Sequence, residues 1–152
     1  MFSVSFFQLV EIEYLQNLYF NTTSMQTIKD MKPVIEGEGD TKSDVNIHLA
    51  FINHCNGGRA YQSSICGVHP LAVNCINDHI RPLAMAQIVT HEMGHVLGMR
   101  HDEDIGCGKH NKDYGHMSGT HNGWSSCSKQ QFSERYTYLA MRKKWCLQPG
   151  KL

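Results

Sequence analysis

The sequence lacks a long apolar run, an excess of charge of either sign and any close pair of cysteines, and each lack removes a class of protein. No stretch approaches the ~18 consecutive apolar residues of a membrane-spanning helix, so no membrane span is expected. Lysine and arginine together number 14, as do aspartate and glutamate, for a formal net charge of zero. There is neither the basic footprint of a nucleic-acid binder nor a polybasic run for a membrane surface. The six cysteines (Cys55, Cys66, Cys75, Cys107, Cys127 and Cys146) contain no CxxC pair. Zinc-ribbon sites need such pairs, so a disulfide framework is the better reading, with every pairing left open by spacing alone. Disulfides persist in oxidising compartments, which points to a secreted or extracellular protein, and the sequon at Asn21 is compatible with that. A secretory leader is missing too: residues 1–10 are apolar, but no basic segment or small-residue cleavage site accompanies them, and Glu11 and Glu13 follow. The expectation is therefore a chain incomplete at its start.

What is there fits one domain of 152 residues, without internal repeats. Residues 2–14 alternate apolar and polar, the period of a strand. Thr23 and Gln26 resemble a capping box opening a helix over 24–32, closed by Pro33. Residues 44–52 alternate again, with Val45, Ile47, Leu49 and Phe51 on one side, and 59–65 read as a short strand after the Asn56-Gly57-Gly58 turn. Pro82 opens a helix over 83–97 that Gly98 stops. Residues 102–127 are rich in Gly, Asn, Ser and His and read as irregular. Ser128 with Gln131 resembles a second capping box, opening a helix to about 144 that packs Phe132, Tyr136, Leu139 and Ala140 inward. The class implied is mixed α/β.

The segment that carries chemistry is His91-Glu92-Met93-Gly94-His95-Val96-Leu97-Gly98-Met99-Arg100-His101-Asp102. Residues four apart share a helix face, so His91 and His95 aim two imidazoles at one point. Gly98 breaks the helix and permits a left-handed turn that brings His101 back to the same point. Three neutral imidazoles leave a fourth zinc position open, the mark of a catalytic site. Glu92 is placed to act as a base beside it. An isolated HExxH arises readily by chance; the extended form, with Gly98, His101 and a later methionine, is far more specific. His48, His54, His69, His79, His110 and His121 carry no such pattern and read as ordinary histidines, and His116 as an exposed loop residue.

HEMGHVLGMRHD resembles the metzincin zinc signature, and the aspartate after the third histidine is similar to that of the adamalysin (reprolysin) family, which includes venom metalloproteases and ADAM-type sheddases. The order of strands, helices and cysteines around the motif is also similar, except that the family's first strand and helix are not matched. The resemblance implies a metzincin zincin-like fold: a mixed twisted sheet and active-site helix over 1–101, and an irregular C-terminal subdomain over 102–152.

It further implies a secreted, monomeric zinc endopeptidase acting on protein or peptide substrates. His91, His95 and His101 would hold one Zn2+, and Glu92 would be the base for the zinc-bound water; nothing indicates structural Ca2+. Met117 would form the methionine turn beneath the histidines, although the run here is Gly115-His116-Met117 where the family often has Cys-Ile-Met. Gly98 and Asp102 would support the site. Gly58, Arg59, Ala60 and Tyr61 would bind an extended substrate, and Ser118, Gly119 and Thr120 would line the specificity pocket. The family's pattern suggests the pairs Cys75–Cys146 and Cys107–Cys127, with Cys55–Cys66 left over. A venom or saliva role follows by analogy with compact members of the family. The alternative is a zinc-binding but inactive fragment or binding module.

Overall fold

The structure, a computed structural model, describes residue 29, residues 47–53, 57–67, 69–76, 81–107, 113–120 and 123–144, and residue 146. The expected strand at 2–14 lies outside these residues, as does the helix at 24–32 apart from Lys29, which is helical and exposed. The described chain runs β1 (His48–Asn53), β2 (Gly58–Ala60), β3 (Leu71–Ile76), α1 (Pro82–Val96), a single 3-10 turn (His116–Ser118) and α2 (Ser126–Met141). This is the mixed α/β arrangement expected.

The three strands form one sheet in the order β1-β3-β2, with β1 parallel and β2 antiparallel to β3. β3 was not foreseen. It is the central strand, and Leu71 to Cys75 are all fully buried. A strand covered on both faces reads as a continuous apolar run, so the alternation that betrays a half-buried strand is absent. Of the strand expected at 59–65 only Arg59 and Ala60 belong to β2, which starts one residue earlier at Gly58. Beyond it the chain coils through two left-handed residues, Ser63 and Cys66.

Parity along β3 sorts the core, because successive strand side chains point to opposite faces. Leu71, Val73 and Cys75 pack with Ala50 and Ile52 of β1 on one face. Ala72 on the other face joins Ile65, Val96 of α1 and Leu139 of α2. Ile47 and Leu49 pack against this second cluster as expected, but Phe51 remains 44% exposed and the deeper residues of β1 are Ala50 and Ile52.

The same parity overturns two expected disulfides. Cys146 pairs with Cys66, not Cys75, and Cys66 therefore does not pair with Cys55. Cys75 sits on the sheet face turned away from Val96 and Leu139, so the end of α2 does not reach it. Cys66 packs against the cluster that contains Leu139. Cys75 is itself disulfide-bonded, to a residue outside the described ones. Cys107 pairs with Cys127.

α1 starts at Pro82, whose fixed φ suits a first helical turn, and packs on β2 and β3. α2 starts earlier than expected. Its N-cap is Ser125, whose side chain accepts from the Ser128 amide, so Ser128 lies inside the first turn. Its inward stripe also differs from the expected one. Ser128 and Leu139 are buried, Gln131, Phe132 and Arg135 are partly so, Tyr136 is 45% exposed and Ala140 is exposed. Among the described residues no helix is long and apolar enough to cross a membrane.

Candidate metal centre

His91 and His95 lie one turn apart on α1, and His101 returns to them from the segment after the helix. The return depends on Gly98, whose φ of +103° is one that a side chain would strain. His101 Nε2 then lies 3.1 Å from His91 Nε2 and 3.2 Å from His95 Nε2.

The other nitrogen of each ring fixes the chemistry. His91 Nδ1 lies 2.8 Å from the carbonyl of His116 and His95 Nδ1 2.9 Å from that of Met99. A carbonyl only accepts, so both Nδ1 atoms carry the proton and both Nε2 atoms present a lone pair. His101 Nδ1 faces the Asp104 carboxylate at 3.4 Å, which favours the same tautomer. Three lone pairs pointing at one another repel unless a cation lies between them. Two ligands on a tetrahedral zinc, each at about 2.0–2.1 Å, stand about 3.3–3.4 Å apart, close to the separations here. The donor set and its outward hydrogen bonds therefore fit a zinc ion. Burial pulls both helical imidazoles below the ordinary histidine value, His95 to about 4, which keeps them unprotonated and ready to bind metal.

Glu92, the residue after His91, packs its side chain against Gly58 of β2 and is 5% exposed. Its Oε2 has no hydrogen-bond partner among the described residues. Burial raises this carboxyl to about 7, and the charge of Arg59 only partly opposes the rise. The room for Glu92 comes from Gly58, where even a methyl group would collide with it.

Met117 is fully buried in the 3-10 turn, with its sulfur against Gly94 of α1. Gly94 makes its approach possible, since a side chain there would meet the Met117 sulfur and stand 3.0 Å from the Trp124 ring. Asp102, also fully buried, gathers the surrounding loops. Its Oδ2 accepts from the Gly115 amide and the Ser118 hydroxyl, and its Oδ1 from the hydroxyls of Ser125 and Ser128. One carboxylate thus joins the end of the histidine-bearing segment to the 3-10 turn that carries Met117 and to the start of α2.

The residues expected to meet substrate fall into two sets. Gly57 O accepts from Cys75 N and Tyr61 N donates to Leu71 O, so the odd positions of β2 face β3. The backbone groups of Gly58 and Ala60 then face the open side of β2, an edge of the described sheet. Arg59 is exposed and Tyr61 packs on the first core cluster. By contrast, the hydroxyls of Ser118 and Thr120 turn to internal partners, Asp102 and the Tyr114 carbonyl, while Gly119 is exposed.

His116 is not the exposed loop residue expected. It is partly buried, edge-on to Trp124 at 5.0 Å between ring centroids, and its Nδ1 is buried without a partner among the described residues. Its part in the site is played by its carbonyl, which orients His91. A backbone acceptor has no signature in sequence.

A family model described as "Reprolysin (M12B) family zinc metalloprotease" matches residues 38–149. The chain is similar to "A disintegrin and metalloproteinase with thrombospondin motifs 1" of Bombyx mori, 32% identical over 116 residues that make up 72% of this chain and 11% of that protein. It is also similar to "Snake venom metalloproteinase TM-1" of Protobothrops mucrosquamatus, 32% identical over 93 residues, 59% of this chain and 44% of that protein. The chain thus spans about a tenth of the first relative's length and less than half of the second's.

Proposed function

The chain belongs to the reprolysin (M12B) family of zinc metalloproteases, and from that premise we propose that it is a secreted zinc endopeptidase that cleaves peptide bonds in protein substrates. The observation that carries the proposal is the convergence of three Nε2 lone pairs, His91, His95 and His101, with each Nδ1 occupied by an outward acceptor. These three residues would hold the zinc. When bound, the ion supplies a Lewis acid that acidifies water and polarises a carbonyl.

Glu92 is the proton carrier. Its carboxylate takes the proton of the attacking water and returns it to the leaving amine, a general base and then a general acid. Its buried Oε2, without a hydrogen-bond partner among the described residues, supports this role, because an oxygen without a donor remains free to receive a proton. The substrate lies extended along β2, using the outward backbone groups of Gly58 and Ala60 as a strand added to a sheet edge. Arg59 and Tyr61 flank that strand, and the turn at Ser118, Gly119 and Thr120 closes the pocket beyond Met117. Asp102 and Gly98 hold the site in shape. We read residues 1–152 as one monomeric domain, its two parts meeting after His101.

The test is zinc content measured beside hydrolysis of a generic protein substrate, for wild type and Glu92→Ala. Stoichiometric zinc in both proteins, with cleavage by the wild type alone, is expected. Zinc without cleavage in either would make the chain a zinc-binding module instead, and no zinc in the wild type would remove the site.

A further inference from the structure

His101 is the one histidine of the cluster that no helix holds. Its side chain is 45% exposed, and its outward contact, with the 58% exposed Asp104 at 3.4 Å, is a surface contact that fixes little. The position of His101 is therefore set by the turn before it. At one end of that turn the Gly98 and Met99 amides bond back to the carbonyls of His95 and Gly94. The Arg100 amide, immediately before His101, instead donates to Gln131 Oε1 of α2 at 3.1 Å.

Arg135 lies one turn further along α2 and grips the same segment. Its aliphatic stem lies over Gly98, so that a methyl group there would stand 3.1 Å from Cγ and 3.2 Å from Cβ. Its Nη2 donates to the Ser63 carbonyl at 2.5 Å. Ser63 in turn donates its amide to His95 O, and Ile65 donates to Val96 O, closing the end of α1. The guanidinium thus places a positive charge beside the C-terminal end of α1, where the helix dipole favours one. Neither contact belongs to the zinc motif, and both come from a helix that begins 25 residues after His101.

We propose that Gln131 and Arg135 are positioning residues for the metal centre, locking the turn at 97–100 and thereby setting where His101 meets His91 and His95. The inference rests on the zinc reading above and adds to it that α2 sets how tightly the third ligand is held. A chelate with one loosely tethered ligand must order that ligand on binding, which weakens it; a turn clamped beforehand removes that cost.

The experiment is the zinc dissociation constant of the full chain, by chelator competition, for wild type, Gln131→Ala, Gln131→Glu, Arg135→Ala and His101→Ala. The visible spectrum of the cobalt-loaded forms is recorded alongside as a readout of ligand geometry. Gln131→Ala and Arg135→Ala should each bind zinc on the order of tenfold more weakly, with a cobalt spectrum shifted toward that of His101→Ala. Gln131→Glu keeps an acceptor oxygen for the Arg100 amide and should restore both. Urea unfolding of the metal-free proteins separates a merely structural role: a loss of stability with unchanged zinc affinity and spectrum overturns the inference. Should Arg135→Ala fail to fold, the two Gln131 variants decide it. A wild type that binds no zinc overturns the metal reading and this inference with it, whereas tight wild-type binding with unaltered Gln131→Ala overturns this inference alone.

Discussion

Gly58 of β2 lies so near Glu92 of α1 that a Cβ on Gly58 would stand 2.5 Å from Glu92 Cγ and 2.6 Å from its Oε1. The edge strand and the proposed proton carrier are thus in contact, and the space for Glu92 exists because residue 58 has no side chain. Gly58→Ala should push the carboxylate aside while leaving the three histidines untouched. In an otherwise ordinary strand position alanine is no worse than glycine, so folding should survive. The expected outcome is a fall in kcat of roughly a hundredfold, at the low end of what a positioned general base contributes, with zinc content unchanged. Peptide hydrolysis measured beside metal analysis checks it; undiminished kcat would show that Glu92 has room to spare.

Asp102 accepts four hydrogen bonds while fully buried, from Gly115, Ser118, Ser125 and Ser128. Asp102→Asn has the same shape but turns one acceptor oxygen into an amide donor that faces other donors. Two bonds to a charged acceptor are lost, and their donors are stranded away from water. The loss of stability should be about 3–5 kcal/mol. Ser118→Ala, which removes one donor, should cost about 1 kcal/mol. Urea unfolding of the two variants gives the comparison, and a cost for Asp102→Asn no larger than that for Ser118→Ala would contradict the hub.

The legibility of the site and of the fold differ for a physical reason. His91, Glu92, His95, Gly98 and His101 lie within one short stretch, where helical spacing and one glycine turn dictate which side chains meet. Contacts made by side chains on distant elements have no such local signature. Gln131 reads as the second residue of a capping box and Arg135 carries no signal at all, yet both reach the turn before His101. The pairing of Cys66 with Cys146 depends on which face of β3 carries Cys75, and β3 itself is hidden by being buried on both sides. Ser125, the cap of α2, has its hydroxyl held by Asp102 at 2.6 Å, a contact made across 23 residues of sequence that no local pattern marks.

The histidines also fix a pH dependence. Burial lowers the imidazoles of His91 and His95 in the folded protein, His95 to about 4, from an ordinary value of 6.5. Between those values the unfolded chain takes up protons that the folded one refuses. The contribution of these groups is therefore complete above about pH 6.5 and is lost as pH falls toward 4. Glu92 acts in the opposite sense, since its carboxyl is raised to about 7 from 4.5 and loses stability as pH rises through that window. In metal-free Glu92→Gln the opposing effect of Glu92 is gone, and stability should fall steadily from about pH 7 to about pH 4.5. Replacing His95 by Gln in the same background should flatten that slope, and an unchanged slope would show that His95 titrates as it does in the unfolded chain.

The disulfides give a prediction that separates the observed pairing from the expected one. Peptide mapping of the oxidised protein should recover Cys66 with Cys146 and Cys107 with Cys127, and no fragment joining Cys75 to Cys146. The two bridges close loops of very different length, with sequence separations of 80 and 20. Chain entropy assigns them about 4.5 and about 3.3 kcal/mol, so Cys146→Ser should cost more global stability than Cys127→Ser. The effect on the metal should run the other way. Cys107 and Cys127 bracket the segment that carries His116 and Met117, whose carbonyl and sulfur lie against His91 and Gly94. The Cys127→Ser protein should therefore bind zinc more weakly than Cys146→Ser even though it unfolds later. Unfolding midpoints and zinc dissociation constants ranked in the same order would mean that both bridges act through overall stability alone.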